Sequence, residues 1–553
     1  MFIVYLFSAS TKECIWSLGK SPIDVERLSQ LLIEYPNNSA SKIIFEGFKY
    51  GFPIHYSGPR TPVDCQNLKS IIQHPIKTQD KIQSEIDLGR ISGPYEKRPI
   101  SNLRCSPIGL VPKKTGGFRL ITHLSFPPGN SVNSNIDTVH SSVQYSPFDH
   151  AISLIQKVGR NALCGKHDIK SAFRLLPIYP GCFDLLGFKF NGCFYIDKML
   201  PMGRSQSCSY FETFSTFIEW VVKTKSKSDN VDHYLDDFFF VGKAESDECK
   251  NLMNCFVDVC NYINVPVAHE KTEGPSTVIE YLGLTIDTVN MLIKIPKDKI
   301  VELQEKIGFV LSKKRVQLRI LQSLAGSFAF CTRAIPAGRT FIRSLYALMS
   351  KVRQPHHYVR VTNAVKSDLL VWLEFLSTFN GISFILDKDW SSSDDLQLYT
   401  DSAGGETKGC GVYYSGKWAM MQWPTVWANT EILKDITYLE LVPIALAIYL
   451  WGCEFKNKRI LFFSDNSAVV SIINNKSSKS ERVMSLLRYI VYWTLTFNFQ
   501  LKCKHIPSFK NKIADSISRG QVEYFRQLAP AAQTYPTTIP VQFWSLLCKK
   551  PLC

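Results

Sequence analysis

Short apolar runs alternate with amphipathic stretches along most of this 553-residue chain, and the alternation predicts its elements. The spacing predicts a helix over Val25–Tyr35, entered through Ser21-Pro22 and ended by Pro36-Asn37-Asn38, because Pro suits a helix start and a Pro-Asn-Asn run stops one. Residues 1–60 thus read as a small appended helical module of unknown role. Between Thr61 and Ile295, β-rich runs such as Ile108-Gly-Leu-Val-Pro112 and Phe118-Arg-Leu-Ile-Thr122 alternate with helical stretches such as Ser207–Val222, an α+β pattern. From Lys297 to about Lys351 the chain turns helical and basic. There Lys313-Lys314-Arg315 and Arg319 read either as a helix pair facing a phosphate backbone or as a solvated face. The run Ser391-Ser-Ser-Asp-Asp395 reads as a linker, after which Leu398–Ala403, Lys408–Tyr414 and Lys417–Gln422 read as three antiparallel strands joined by tight turns. Residues beyond about Gln521 are Pro-rich and are expected to be extended. The boundaries that follow are 1–60, 61–295, 296–390, 391–525 and an extended, truncated tail at 526–553, within the roughly three to five domains such a length supports.

Two adjacent acids interrupt the apolar run Tyr234-Leu-Asp-Asp-Phe-Phe-Phe-Val241. Side chains on a strand alternate faces, so neighbouring carboxylates converge only at a turn. This predicts a β-hairpin with Asp236 and Asp237 at its tip, where a divalent cation relieves the cost of burying both. Upstream, Lys166-His-Asp-Ile-Lys-Ser-Ala-Phe173 places Asp168 at the end of a short strand. Taken singly, an Asp-Asp pair also reads as a solvated turn and Asp168 as a helix cap; together they read as the oxygen ligands of a two-metal phosphoryl-transfer site.

At this point the sequence resembles reverse transcriptases. Asp168 with Phe173 matches the motif carrying the first catalytic Asp and a following aromatic, Leu200-Pro-Met-Gly-Arg-Ser-Gln206 the template and nucleotide motif, and Tyr234-Leu-Asp-Asp237 the metal-binding hairpin. Val111-Pro-Lys-Lys-Thr-Gly-Gly-Phe-Arg-Leu120 matches the fingers hairpin, Glu270-Lys271 the palm lysine, and Tyr281-Leu-Gly-Leu284 the primer grip. The resemblance implies a right-hand polymerase of fingers and palm (61–295) with thumb and connection (296–390). It implies nucleotide contacts from Arg119, one of Lys113 or Lys114, Phe173, Met202, Gly203 and Lys271. Phe173 would exclude a 2′-hydroxyl and so select dNTPs, and it also reads as a core aromatic. Met202 departs from the Gln usual in retroviral enzymes.

A second ordered set of acids follows: Asp401 in the first of the three strands, Glu440 in the first turn of an apolar helix, Asp465 after the strand Arg459–Ser464, and Asp515 in Lys512-Ile-Ala-Asp-Ser516. Four carboxylates sharing a cleft need cations to stay ionised. Thr437 with Glu440 also reads as a capping box and Asp465 as a helix start. The set resembles the four catalytic acids of ribonuclease H, which implies an α/β domain with a mixed sheet at 391–525. Pro443 is expected to kink its helix, the loop from Ile506-Pro507 to Asp515 is short, and His505 reads as a strand residue. Among retroelements the chain looks closest to the DIRS-like, tyrosine-recombinase group, with Pro22-Ile-Asp-Val-Glu-Arg-Leu28 and Ile517-Ser-Arg519 favouring that branch.

Composition sharpens this picture. A formal net charge of +16 gives a field suited to a polyanion. The sixteen cysteines form no Cys-x-x-Cys pair and no zinc cluster, which predicts reduced, buried thiols and leaves nucleic-acid packaging to another chain. The run Tyr438–Trp451 contains Glu440 and Pro443, and no secretory pattern follows Met1, so a cytoplasmic or nuclear protein without a membrane partner is expected. The combined expectation is an RNA-directed DNA polymerase and ribonuclease H using two Mg2+ or Mn2+ per site, with RNA template, DNA primer, RNA/DNA hybrid and dNTPs as partners. A recombinase and a packaging protein of the same element would act beside it. An inactive, transposon-derived nucleic-acid-binding protein and an RNA-dependent RNA polymerase are the rival readings.

Overall fold

The computed structural model describes residues 15–113, 116–136, 143–201, 207–378, 382–385 and 389–548. Met202, Gly203 and Lys114 lie outside them. The fold is α+β and multidomain, and it divides into two compact units between Ile279 and Glu280.

The first unit starts with helices α1 (Val25–Leu32) and α2 (Asn38–Tyr50), capped by Asp24 and Asn37, whose side chains accept the Arg27 and Ala40 N–H groups. Leu28, Leu32, Ile44 and Phe48 of these helices share one core with Phe211, Phe214 and Phe217. Residues 15–60 are therefore part of the unit's core, not the appended module that their sequence suggests: an apolar helix face finds its partner wherever packing puts it. Helix α3 (Pro75–Asp87) starts at a Pro, and strands β1 (Ile108–Pro112) and β2 (Phe118–Thr122) form a two-stranded hairpin. Strand β3 (Leu163–Asp168), helix α4 (Ser207–Ser226), strands β4 (Val231–Tyr234) and β5 (Asp237–Gly242), helix α5 (Glu248–Tyr262) and strand β6 (Glu273–Ser276) complete the centre. The strands form one sheet in the order β6-β3-β5-β4. Helices α4 and α5 pack on it, which is why Phe238, Phe239 and Phe240 are all fully buried and why β5 reads as a continuous apolar run.

In the second unit, helices α6 (Lys297–Leu311) and α7 (Leu318–Cys331) flank a short strand, Arg315–Gln317. The basic run Lys313–Arg315 is exposed but sits in that connection, off the helices. Strands β7 (Ser391–Ser392), β8 (Leu398–Ser402), β9 (Gly409–Tyr414) and β10 (Lys417–Gln422) precede helix α8 (Ile436–Trp451). Strand β11 (Arg459–Ser464), helices α9 (Ser467–Asn475) and α10 (Glu481–Thr496), strand β12 (Gln500–His505) and helix α11 (Lys512–Ser518) follow. Strands β8-β9-β10 are antiparallel and β7-β11-β12 parallel.

Three expectations change here. The run 391–395 is no linker, because Ser391–Ser392 pairs with β11 and Ser392 with Asp395 makes a capping box for the turn Ser393–Leu396. Beyond Gln521 the chain folds as helices Val522–Leu528 and Val541–Cys548, with Phe525 and Phe543 fully buried. Helix α8 runs through Pro443 without interruption. The helical span Ile436–Phe455 is long and apolar enough to cross a membrane, and its most apolar window is 67% buried within the fold.

Candidate active sites

The first site forms where a strand end meets a tight hairpin. Strand β5 pairs with β3 so that Asp237 lies opposite Asp168, and with β4 so that Asp237 lies opposite Tyr234. Only Leu235 and Asp236 are left for the turn, and Leu235 takes a left-handed φ of 54°, a conformation that costs most L-residues about 1 kcal/mol. The Ile169 N–H donates to the Asp236 carbonyl at 3.0 Å. The geometry sets Asp168 opposite Asp237 with Asp236 in the adjoining turn, so the expected tip of Asp236 and Asp237 is displaced by one residue: Leu235 and Asp236 turn the chain and Asp237 opens β5. Burial, then the charge of Asp168, raises the Asp236 carboxyl above its ordinary range. Burial and the neighbouring carboxylates Asp236 and Asp168 push Asp237 up to about 7. Lys271 Nζ donates to Asp168 Oδ2 at 2.7 Å, and this bond keeps the ammonium charged against its partial burial.

Beside these acids lies a cleft of roughly 650 Å³ whose lining includes Asp168, Lys81, Lys113, Arg119, Lys170 and Lys271. Lys113, Arg119 and Lys271 were singled out from the sequence. Lys81 carries no local signal, and Lys170, within the Asp168 motif, carries no nucleotide-contact signal beyond its place two residues after Asp168. The cleft wall is braced by Arg174, whose Nη1 donates to both Asp197 oxygens at 2.8 Å and whose Nη2 donates to Glu85 at 2.6 Å, a fully paired buried arginine. Phe173 is half-buried with its ring 5.7 Å from that of Phe211 and stands outside the lining residues of the cleft.

The second site gathers Asp401 of β8, Glu440 of α8 and Asp465 after β11, whose ligand oxygens lie within 4.8 Å of one another. The capping alternatives fall away: the cap of α8 is Asp435, which accepts the Tyr438 N–H at 3.0 Å, and the cap of α9 is Asn466. Glu440 and Asp465 are therefore free for the cluster. Asp515 lies on α11 outside that tight group, 40% exposed and 2.7 Å from Arg519 Nε, while its charge still raises Asp401 and Glu440. Burial drives Asp401 to about 7 and Glu440 to about 8, with the neighbouring acids adding to it. Side chains whose role carries no local sequence signal hold the acids in place. Ser518 Oγ donates to Asp401 Oδ2 at 2.7 Å, Asn511 Nδ2 to the Thr400 carbonyl at 2.9 Å, and Ser508 Oγ to Asp465 Oδ2 at 2.6 Å. His505 ends β12, with Nε2 3.0 Å from the Asp465 carbonyl.

These raised carboxyls carry a stability consequence. Between the ordinary carboxylate range and about pH 8 the folded, metal-free protein holds protons on Asp401 and Glu440 that the unfolded chain has released. Folding stability in that window therefore falls as pH rises. A chelator-treated sample is expected to melt lower near pH 8.5 than near pH 6, with Mg2+ restoring most at the higher pH. Glu440→Gln with Asp401→Asn should shrink the pH difference, and melting curves that rise with pH over this range contradict the assignment.

No family model matches the sequence. The chain is similar to retrotransposon polyproteins. The Transposon Tf2-3 polyprotein of Schizosaccharomyces pombe is 22% identical over 444 residues, which is 79% of this chain and 30% of that protein. The Tf2-7 polyprotein is 23% identical over 444 residues with the same coverage. The chain thus spans under a third of the length of the curated relatives it matches. Among solved structures, the foamy viral protease-reverse transcriptase dRH in complex with dsDNA aligns with a TM-score of 0.47 at 17% identity, covering 87% of this chain and 81% of that one. The foamy viral protease-reverse transcriptase in complex with RNA/DNA hybrid aligns with a TM-score of 0.45 at 17% identity, covering 87% and 62%.

Proposed function

We propose that the chain is an RNA-directed DNA polymerase with ribonuclease H activity, encoded by a retrotransposon of the DIRS-like group. The observation that carries this reading is the pair of partly buried carboxylate groups: Asp168 opposite Asp237 with Asp236 in the adjoining turn, and Asp401, Glu440 and Asp465, whose oxygens lie within 4.8 Å of one another. Similarity to the Tf2 polyproteins over 79% of the chain supports a retroelement origin.

Each cluster offers oxygen donors alone, which fits Mg2+ or Mn2+ and disfavours soft-ligand metals. Asp168, Asp236 and Asp237 would hold two such ions in one site, and Asp401, Glu440, Asp465 and Asp515 two in the other. Bound there, the cations supply charge neutralisation at phosphate and a more acidic attacking oxygen. The chain's own residues do the positioning. Lys113, Arg119, Lys170 and Lys271 would pair with the triphosphate of an incoming dNTP. Met202 and Gly203 of the template and nucleotide motif, which lie outside the described residues, are nucleotide-contact residues of this reading. Ser508, Asn511 and Ser518 keep the second set of acids oriented toward the RNA strand of a hybrid. RNA template, DNA primer, RNA/DNA hybrid and dNTPs are the substrates of this reading, with a recombinase and a packaging protein supplied by other chains of the element.

Purified chain is expected to extend oligo(dT) on poly(rA) with dTTP and Mg2+ or Mn2+, and to incorporate no UTP. Extension with UTP but not dTTP points to an RNA polymerase, and no extension at all overturns the reading. Phe173→Val should relax sugar discrimination, raising ribonucleotide use relative to dNTP by about 10²-fold, the order at which a pocket rejects one added hydroxyl. An unchanged ratio in a variant that still extends primers would leave Phe173 as a core aromatic.

A further inference from the structure

The turn that carries Asp236 is held from behind by buried charges that the site itself does not use. Leu235 and Asp236 are its two residues, and Glu212 Oε2 of helix α4 accepts the Leu235 N–H at 3.3 Å. Glu212 is 8% exposed, and a lone carboxylate so buried is costly. His233, on the strand leading into the turn, offsets it. Its Nε2 lies 3.3 Å from Glu212 Oε1, and its Nδ1 bonds Glu219. Glu219 follows Glu212 by two turns on the same face of α4 and pairs with Lys223 at 2.5 Å. Burial opposes charge on the imidazole, but the two carboxylates outweigh it and lift His233 to about 9. The His233 ring also stacks on Phe238 of β5, with centroids 5.4 Å apart.

We infer that the chain of alternating charges Lys223–Glu219–His233–Glu212 is a positioning device that fixes the Leu235–Asp236 turn and thereby sets the affinity of the first carboxylate cluster for divalent cations. The inference rests on the polymerase reading for its consequence in catalysis. None of the four side chains is among the acids of the cluster. Their effect runs through a backbone N–H on a residue in a left-handed conformation, at a tip where Asp236 and Asp237 repel each other. The turn is also held by the Ile169 N–H bond to the Asp236 carbonyl, so releasing Leu235 leaves it with that bond and the flanking β4–β5 pairing. A variant that keeps an acceptor at position 212 preserves the turn, and one that removes it lets Asp236 drift.

The test uses the full chain in a background carrying Asp401→Asn and Asp465→Asn, so that the first cluster dominates metal binding. Mn2+ half-saturation is followed by electron paramagnetic resonance, and kcat and KM for dTTP are measured on poly(rA)·oligo(dT). Glu212→Gln, which retains an acceptor, is expected to stay within about threefold of its parent in all three quantities, whereas Glu212→Leu should raise Mn2+ half-saturation and lower kcat by about 10- to 100-fold, as lost supporting contacts do. The KM for dTTP should move by less than about twofold, since the triphosphate cations are untouched. If Glu212→Leu fails to fold, Glu212→Ala, whose space admits water, carries the same expectation. Mn2+ binding and kcat that are unchanged in the folded Leu or Ala variant overturn the inference, and so does an effect confined to KM. A parent chain that binds Mn2+ but extends no primer sinks the polymerase reading, while the Mn2+ titration still decides this one.

Discussion

Primer extension is expected to fall about 10³-fold in Asp236→Asn and Asp237→Asn chains, the loss of roughly 4 kcal/mol that accompanies removal of a metal-holding charge from a phosphoryl-transfer site. The substitution is nearly isosteric, so the hairpin should survive it. It removes one of three mutually repelling carboxylates whose burial already pushes Asp237 up to about 7. The folded, metal-free variant is accordingly expected to be no less stable than the parent, and its defect to lie in kcat. Single-turnover extension with saturating dTTP checks this. Hydrolysis of an RNA/DNA hybrid by the same variant should be unaffected, because the Asp401 cluster lies in the other compact unit. Residual extension within tenfold of the parent would mean that these acids are a turn and not a site.

The reciprocal experiment has an equally large expected effect. Asp401→Asn or Glu440→Gln should reduce hydrolysis of the RNA strand about 10³-fold while primer extension persists. Asp401 is buried and Glu440 half-buried in the group whose oxygens lie within 4.8 Å, whereas Asp515 is 40% exposed and paired to Arg519. Asp515→Asn is therefore expected to cost less than the other two, by about tenfold or more. Cleavage of a labelled RNA/DNA hybrid, with the intact polymerase as internal control, ranks the three. Equal losses at all positions would place Asp515 within the tight group when the hybrid is bound.

The chemistry was more legible in the residues than the packing was. Asp236 and Asp237 stand out because two acids in an apolar strand demand a turn, and the turn forms there one residue early, on Leu235 and Asp236, with Asp237 opening β5. The three strands from Leu398 to Gln422 follow from short β-rich runs with tight turns. Long-range partners were hidden. Leu28 and Phe48 share one core with Phe214, more than 150 residues away, so residues 15–60 read as an appendage until the common core is seen. Phe525 packs on Tyr413 and Trp418, contacts that no local Pro-rich pattern announces. Ser391–Asp395 reads as a linker because a two-residue strand and a one-turn helix leave too short a period to detect. Glu212, His233 and Glu219 carry no local signal, since their meaning depends on a helix and a strand coming face to face. Local chemistry is written in neighbouring residues, whereas the groups that orient it come from distant ones.

Divalent-cation binding by the metal-free chain, followed by Mn2+ titration at about pH 8 where Asp237, Asp401 and Glu440 give up their protons, tests most directly whether the two carboxylate clusters are cation sites. Two classes of binding are expected, one lost in Asp236→Asn/Asp237→Asn, the other in Asp401→Asn/Glu440→Gln, and both absent when the sets are combined. Mn2+ binding that survives the combined substitutions in a folded chain would contradict it.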